Sequence, residues 1–104
     1  MQARNRRHPE FNRQILAEAR EAKREASFKI AAGKISTFRV YQNRGHRLPK
    51  AHFPNFYVEY DVGTDRVGGR GSYRLVLYVR KHRGKYRVLK AYLTRDHYKH
   101  FVQI

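Results

Sequence analysis

Cysteine is absent from this chain of 104 residues. Its absence excludes disulfide bonds, thiolate metal sites and a cysteine nucleophile. Long apolar runs are absent as well, since no run approaches the roughly 20 residues that a membrane-spanning helix needs. The sequence therefore predicts no membrane partner.

Acidic residues are scarce. The chain has 8 Asp and Glu residues against 24 Lys and Arg residues, which gives a formal net charge of +16. On a domain of this size, such an excess makes a polyanion the expected partner. Three of the acids, Glu59, Asp61 and Asp65, lie close together in a basic half of the chain. A small acidic group among so many cations is the first indication of chemistry.

Several site motifs are incomplete or missing. The histidine pairs His46 and His52, and His97 and His100, have no further ligands at the spacing of a zinc site. The glycine-rich run at residues 68–71 lacks the Lys-Ser/Thr ending of a phosphate-binding P-loop. We find no serine nucleophile motif. The sequence therefore predicts neither a metal nor a cofactor.

The length allows one domain, which we assign to residues 8–104 after a basic tail at residues 1–7. Apolar residues then recur at spacings of three and four, which predicts an amphipathic helix that ends at Gly33. This stripe consists of Phe11, Ile15, Ala19, Ala22, Ala26 and Ile30.

Beyond Gly33 the apolar period changes to two, which is typical of strands. The predicted strands are residues 35–41, 56–62, 73–80 and 85–93, with a short one near the chain end. Loops are predicted at residues 42–55 and 63–72, and a turn at residues 81–84. We expect an α+β fold, with the helix packed on a twisted antiparallel sheet of four or five strands.

The candidate chemistry is a carboxylate, two arginines and a histidine. Side chains alternate along a strand, so Glu59 and Asp61 share one face. If the next strand pairs with this one, Arg74 lies near Asp61, and Arg70 is four residues earlier in the glycine-rich loop. His97 follows the last long strand and can hold or release a proton near neutral pH.

These groups are the ones that RNA cleavage by the ribose 2′-OH requires without a metal. A base takes the hydroxyl proton, cations offset the charge on the phosphorane, and an acid protonates the leaving oxygen. Glu59 would be the base, with the arginines keeping it ionised. Alternatively, Glu59 and Asp61 only neutralise the surrounding arginines.

Four segments, in chain order, resemble barnase and its relatives among the microbial ribonucleases. They are Tyr41–Pro49 (YQNRGHRLP), Tyr57–Val62 (YVEYDV), Gly69–Leu75 (GRGSYRL) and Thr94–Phe101 (TRDHYKHF). The first is similar to the family's base-binding loop and the second to the strand that bears its general base. The third contains two arginines at the family's spacing, and the fourth is similar to its T-x-D-H-Y-x-x-F ending. Together they cover roughly residues 35–104.

The resemblance implies a role for each matching residue. Glu59 falls on the general base, His97 on the general acid, and Arg70 and Arg74 on the phosphate-binding pair. Tyr98 falls on the tyrosine beside the acid. The implied first product is a 2′,3′-cyclic phosphate.

Substrate binding is implied for Asn43 and Arg44 in the base-binding loop, together with Tyr98 and Asp61. The chain also departs from the family pattern. Gly45 replaces the carboxylate with which barnase reads guanine, and the hairpin before His97 is longer.

A further departure concerns the family's helical lysine, which has no fixed position here. Lys23 and Lys29 are the candidates.

The fold group also includes contact-dependent and RelE-like bacterial toxins, so the resemblance implies a monomeric toxin domain with a small acidic immunity or antitoxin protein as its partner. Residues 1–9 are basic and lead into no apolar signal core. We therefore expect secretion, or delivery into the cytoplasm of a target cell, to depend on another segment or system.

Two alternatives stay open: a non-catalytic RNA- or DNA-binding protein, and an interaction protein whose basic face binds an acidic partner.

Overall fold

The computed structural model describes residues 13–64, 70–95 and 98–104. For residues 64 and 70–72 it describes only the backbone. Its elements are helix α1 (Arg13–Ala31), a short 3-10 helix (Ile35–Thr37) and strands β1 (Arg39–Tyr41), β2 (Phe56–Thr64), β3 (Arg70–His82), β4 (Lys85–Thr94) and β5 (Val102–Gln103). The strands form one antiparallel sheet in the order β1-β2-β3-β4-β5. The predicted α+β architecture is confirmed, with five strands. The predicted tail at residues 1–7 and Phe11, the first residue of the helix stripe, lie outside the described residues.

Helix α1 packs on the sheet through the predicted stripe. Its buried residues are Ala19, Ala22, Ala26 and Ile30. Three of these four side chains are methyl groups, so the helix approaches the strands closely. Ile15 lies at the margin of the stripe and is only half-buried. The helix ends as predicted at Gly33, whose φ of +85° lets the next amide, Lys34 N, donate to the Lys29 carbonyl at 3.0 Å.

The face of the sheet that packs against α1 follows the alternation read from the sequence. Its buried residues include Val58, Val62, Leu75, Leu77, Val79, Ala91 and Leu93. The opposite face carries a second cluster of Leu48, Tyr57, Val76 and Tyr92, onto which Tyr41, Tyr98 and Phe101 pack. The loop after β1 and the chain end thus cover the middle of that face. Glu59 and Asp61 lie next to this cover, further along β2.

The strand bounds differ from the prediction at three places. The predicted strand at residues 35–41 begins as a 3-10 helix, which leaves only Arg39–Tyr41 as β1. The predicted glycine-rich loop at residues 63–72 is shorter, because Thr64 pairs with Arg70 and both strands continue into it. The predicted turn shortens to Arg83 and Gly84, whose φ values of 54° and 76° suit a two-residue hairpin.

Removal of the Ile30 side chain tests whether α1 docks as described. Ile30 is fully buried between α1 and the sheet. We expect Ile30→Ala to lower the free energy of unfolding by about 2–5 kcal/mol, because a large buried side chain leaves a cavity. The control is Phe28→Ala on the same helix, where the side chain is 77% exposed and the expected change is within about 0.5 kcal/mol. Urea unfolding measures both variants, and equal small effects would show that α1 is not docked on the sheet.

Candidate active site

A cluster of charged side chains spans three neighbouring strands, with two carboxylates on β2 between an arginine on β1 and one on β3. The register pairs Arg39 of β1 with Glu59 of β2, and Asp61 of β2 with Arg74 of β3. Arg74 Nε lies 3.2 Å from Asp61 Oδ1. Arg39 Nη2 lies 3.6 Å from Asp61 Oδ1 and 3.4 Å from Glu59 Oε1. The predicted proximity of Asp61 and Arg74 is confirmed, because antiparallel pairing places the two side chains on the same face.

Among the described residues, only one oxygen of the Glu59 carboxylate has hydrogen-bond partners. Its side chain is 16% exposed. The Tyr98 hydroxyl donates a hydrogen bond to Oε1 at 2.7 Å, and Arg39 contacts the same oxygen. Among the described residues, Oε2 has no hydrogen-bond donor. The carboxylate is therefore oriented through Oε1 and can accept a proton from a ligand at Oε2.

Tyr98 is fixed against Glu59 by its ring and its backbone. The ring lies 4.9 Å from that of Tyr41 and 6.4 Å from that of Phe101, measured between centroids. Its φ of 69° is in the left-handed region, which is uncommon for residues other than glycine. Burial, the hydrogen bond to the Glu59 carboxylate and the charge of that carboxylate together raise the pKa of Tyr98 to about 12. Tyr98 thus stays protonated at neutral pH and acts as a hydrogen-bond donor.

The predicted arginine pair and histidine are only partly within the described residues. The Arg74 side chain is 13% exposed, and its Nη1 donates to the Tyr73 carbonyl at 2.9 Å while Nε contacts Asp61. Its guanidinium is therefore held on two sides. The Arg70 backbone starts β3, but its side chain lies outside the described residues, as does all of His97.

A cleft of about 430 Å³ joins the predicted base-binding loop to Glu59. Residues 40–45 and Arg47 line one side, and Glu59, Tyr98 and Lys99 line the other. Arg47 Nη1 donates to the Lys99 carbonyl at 3.0 Å, which ties the loop to the chain end. The structure thus brings the first and fourth sequence motifs to the carboxylate of the second.

The two loop residues predicted to bind substrate differ in their surroundings. The Asn43 side chain closes the loop, because its Nδ2 donates to the Leu48 carbonyl at 2.9 Å and its Oδ1 accepts from Leu48 N at 3.2 Å. Asn43 therefore closes the loop with its side chain and also lines the cleft. Arg44 is exposed and lines the cleft directly.

Comparison with known proteins decides the family. A protein-family model described as ribonuclease matches residues 4–104. The chain belongs to the ribonuclease family. The match also includes helix α1, which the resemblance from residue 35 onward did not cover. Family membership supports endoribonuclease activity, with RNA as the substrate. Searches of curated proteins and of solved structures find no match.

The helical lysines of this ribonuclease lie away from Glu59. Lys23 Nζ donates to the Ile104 carbonyl at 3.0 Å. Lys29 Nζ contacts the Tyr60 hydroxyl at 3.2 Å, on the helix side of the sheet. Among the described side chains, a cation that does contact Glu59 is Arg39, which the sequence analysis did not identify. Only the register of β1 against β2 reveals it, because a strand of three residues has almost no periodic signal.

The described part of the ribonuclease has neither a metal-binding cluster nor a membrane-spanning helix. Within residues 13–64, 70–95 and 98–104, no group of three or more His, Asp or Glu side chains could hold a metal ion. Over the same ranges, no helix has the length and apolar character needed to cross a membrane.

Proposed function

We propose that this ribonuclease is a barnase-like endoribonuclease that cleaves single-stranded RNA without a metal ion. The observation that carries the proposal is the setting of Glu59. Its Oε1 accepts from Tyr98 at 2.7 Å and contacts Arg39, its side chain lines a cleft, and Arg74 holds the neighbouring Asp61. A base that is oriented through one oxygen and accepts through the other suits proton abstraction from a bound hydroxyl.

The proposed reaction is an internal transesterification. Glu59 accepts the proton of the ribose 2′-OH, whose oxygen forms a bond to the adjacent phosphorus. The bond between phosphorus and the 5′-oxygen of the next nucleotide breaks, and His97 gives that oxygen a proton. The products are a 2′,3′-cyclic phosphate and a 5′-hydroxyl, so this step consumes no water.

Arg74 and Arg70 are proposed to bind the phosphate. Asp61 and the Tyr73 carbonyl already hold the Arg74 guanidinium, so little reorganisation is needed when charge develops on the phosphorane. In the proposed complex the base 5′ to the cut occupies the cleft formed by the loop, where Arg44 and the backbone around Asn43 contact it.

The biological role is proposed to be that of a bacterial toxin domain that is delivered into the cytoplasm of a target cell. Two features support this. The first is the motif resemblance to a group that contains such toxins. The second is the net charge of +16, which favours fast capture by a small acidic immunity or antitoxin protein.

Cleavage in the presence of a chelator tests the proposed reaction. We expect the protein to cut single-stranded RNA at an unchanged rate in excess EDTA and to release 2′,3′-cyclic phosphate ends. DNA of the same sequence should bind but stay intact, because it lacks the nucleophilic 2′-OH. Loss of activity in EDTA would contradict the metal-independent mechanism, and 5′-phosphate products would contradict attack by the 2′-OH.

Salt dependence tests the contribution of phosphate contacts. If about six phosphates are contacted, the logarithm of the affinity for single-stranded RNA should fall with the logarithm of salt concentration at a slope near −4, from roughly −0.7 for each contact. A 2′-O-methyl RNA, which cannot be cleaved, allows the titration. A flat response would show that phosphate contacts do not dominate binding.

A further inference from the structure

Arg39 is the first residue of the edge strand β1 and lies across from Glu59 in the register. Its side chain contacts two carboxylates, yet it is 57% exposed. Both contacts use Nη2, at 3.4 Å and 3.6 Å. These distances are longer than the roughly 2.7–2.9 Å of tight charge-assisted pairs. Arg39 is thus close to the carboxylates without being clamped by them.

Glu59 lines two clefts, and Arg39 lies in the second. The first cleft contains the base-binding loop and Tyr98. The second has a volume of about 330 Å³ and is lined by Thr37, Arg39, Glu59, Tyr60 and Asp61. A substrate whose base fills the first cleft and whose 2′-OH reaches Glu59 would direct its phosphate towards the arginines beside the second.

We propose that Arg39 is a third phosphate-binding catalytic residue, which contacts a non-bridging oxygen of the scissile phosphate. This inference rests on the proposed function of Glu59 as the base. Arg39 would supply at Glu59 the cation that neither Lys23 nor Lys29 provides, since those lysines contact Ile104 and Tyr60.

The charges explain why such a residue accelerates the reaction. Among the described side chains, Arg39 and Arg74 contact the carboxylates of Glu59 and Asp61 before reaction. When Glu59 takes the 2′-OH proton it becomes neutral, and Arg39 loses one of its anionic partners. Negative charge builds on the phosphorane at that same moment. Arg39 therefore interacts more strongly with the transition state than with the bound substrate, which is the condition for raising the rate.

Substitution of Arg39 by glutamine tests the proposal. We expect Arg39→Gln to lower the single-turnover rate at saturating RNA roughly 10²-fold, the lower end for loss of one group that stabilises transition-state charge. The matched control is Arg24→Gln, which removes an exposed arginine that pairs with Glu21 on α1. The control has the same change in net charge, and its rate should equal that of the parent.

A phosphorothioate substrate separates contact with the phosphate from neutralisation of the carboxylates. Sulfur can replace either non-bridging oxygen, which gives two diastereomers of the substrate. With the diastereomer whose sulfur lies where Arg39 contacts the phosphate, the parent and Arg24→Gln should be slowed. Arg39→Gln should be slowed less by the same sulfur. An unchanged sulfur effect for both diastereomers, or a rate equal to that of Arg24→Gln, would overturn the proposal and leave Arg39 as a partner of Glu59 and Asp61 alone.

A second variant keeps the test decisive if Arg39→Gln does not fold. Arg39→Lys retains the charge but loses the planar fork of donors, so its rate should lie between those of the parent and the glutamine variant. A lysine variant with the parent rate and the parent sulfur effect would contradict the proposed contact. Failure of the proposed function is a separate result, because the parent itself would then cleave no RNA.

Discussion

Glu59→Gln is expected to lower the rate of RNA cleavage by roughly 10²–10⁴-fold, the range for loss of a positioned proton-transfer group. The glutamine side chain has nearly the same shape, and its carbonyl oxygen can still accept the Tyr98 hydrogen bond at Oε1. What it cannot do is accept the 2′-OH proton. Because binding groups remain in place, the loss should appear in the single-turnover rate and much less in affinity for 2′-O-methyl RNA.

A glutamate outside the site provides the control for this variant. Glu25 also accepts a hydrogen bond from a tyrosine hydroxyl, that of Tyr60 at 3.2 Å, but it lies on the exposed side of α1. Glu25→Gln should cleave at the parent rate, and thermal unfolding should show that both variants fold. A Glu59→Gln protein with the parent rate would show that Glu59 is not the base.

His97→Ala is expected to lower the rate of cleavage by a similar factor, roughly 10²–10⁴-fold, because the leaving 5′-oxygen would depart without a proton. His97 lies outside the described residues, and its assignment rests on the T-x-D-H-Y-x-x-F motif. The neighbouring Tyr98 contacts Glu59, which brings the chain end to the base.

The leaving group gives this prediction its sharpest measurement. A nucleoside 3′-(p-nitrophenyl phosphate) loses p-nitrophenolate, a stable anion that needs no proton. His97→Ala should therefore cleave this substrate almost as fast as the parent does, while it remains slow on RNA. The substrate is tested with each of the four nucleosides. The control His82→Ala removes an exposed histidine at the end of β3 and should leave both rates unchanged. Equal losses on the two substrates would contradict a role for His97 as general acid.

The pH dependence of the parent should combine both groups. The rate should fall at acidic pH as the base becomes protonated and at alkaline pH as the acid loses its proton, which gives a bell-shaped profile. Glu59→Gln should lose the acidic limb, and His97→Ala should lose the alkaline limb. Tyr98, whose pKa is raised to about 12 by burial and by Glu59, stays protonated across this range and does not change the pH profile of the rate.

Local patterns predicted the faces of the sheet correctly. The alternation placed Glu59 and Asp61 on one face of the strand, and the structure buries Val58 and Val62 beneath α1 on the other. The same alternation across a hairpin placed Arg74 beside Asp61, which the 3.2 Å contact confirms. These predictions succeeded because the direction of a side chain in a regular strand depends only on its position in the period.

Other parts of the site could not be derived in this way. Arg39 lies in a strand of three residues, whose pairing with β2 depends on contacts 20 residues apart in the chain. Lys29 is on the helix, but its ammonium group contacts Tyr60 rather than Glu59. Asn43 has a backbone φ of 55°, and its side chain hydrogen-bonds to Leu48. Each outcome depends on register or local backbone geometry, which spacing along the chain does not specify.

The amino-acid sequence by itself determined the basic character, the amphipathic helix, the alternating strands and the order of the four motifs. These properties follow from composition and from periods of two and 3.6 residues, which act over short distances. The tertiary structure decided which side chains meet: Arg39 with Glu59 and Asp61, and Tyr98 with Glu59 Oε1. Such contacts join residues from different strands and from the chain end. They therefore depend on the register of the strands and on the loop and chain end that pack over the sheet.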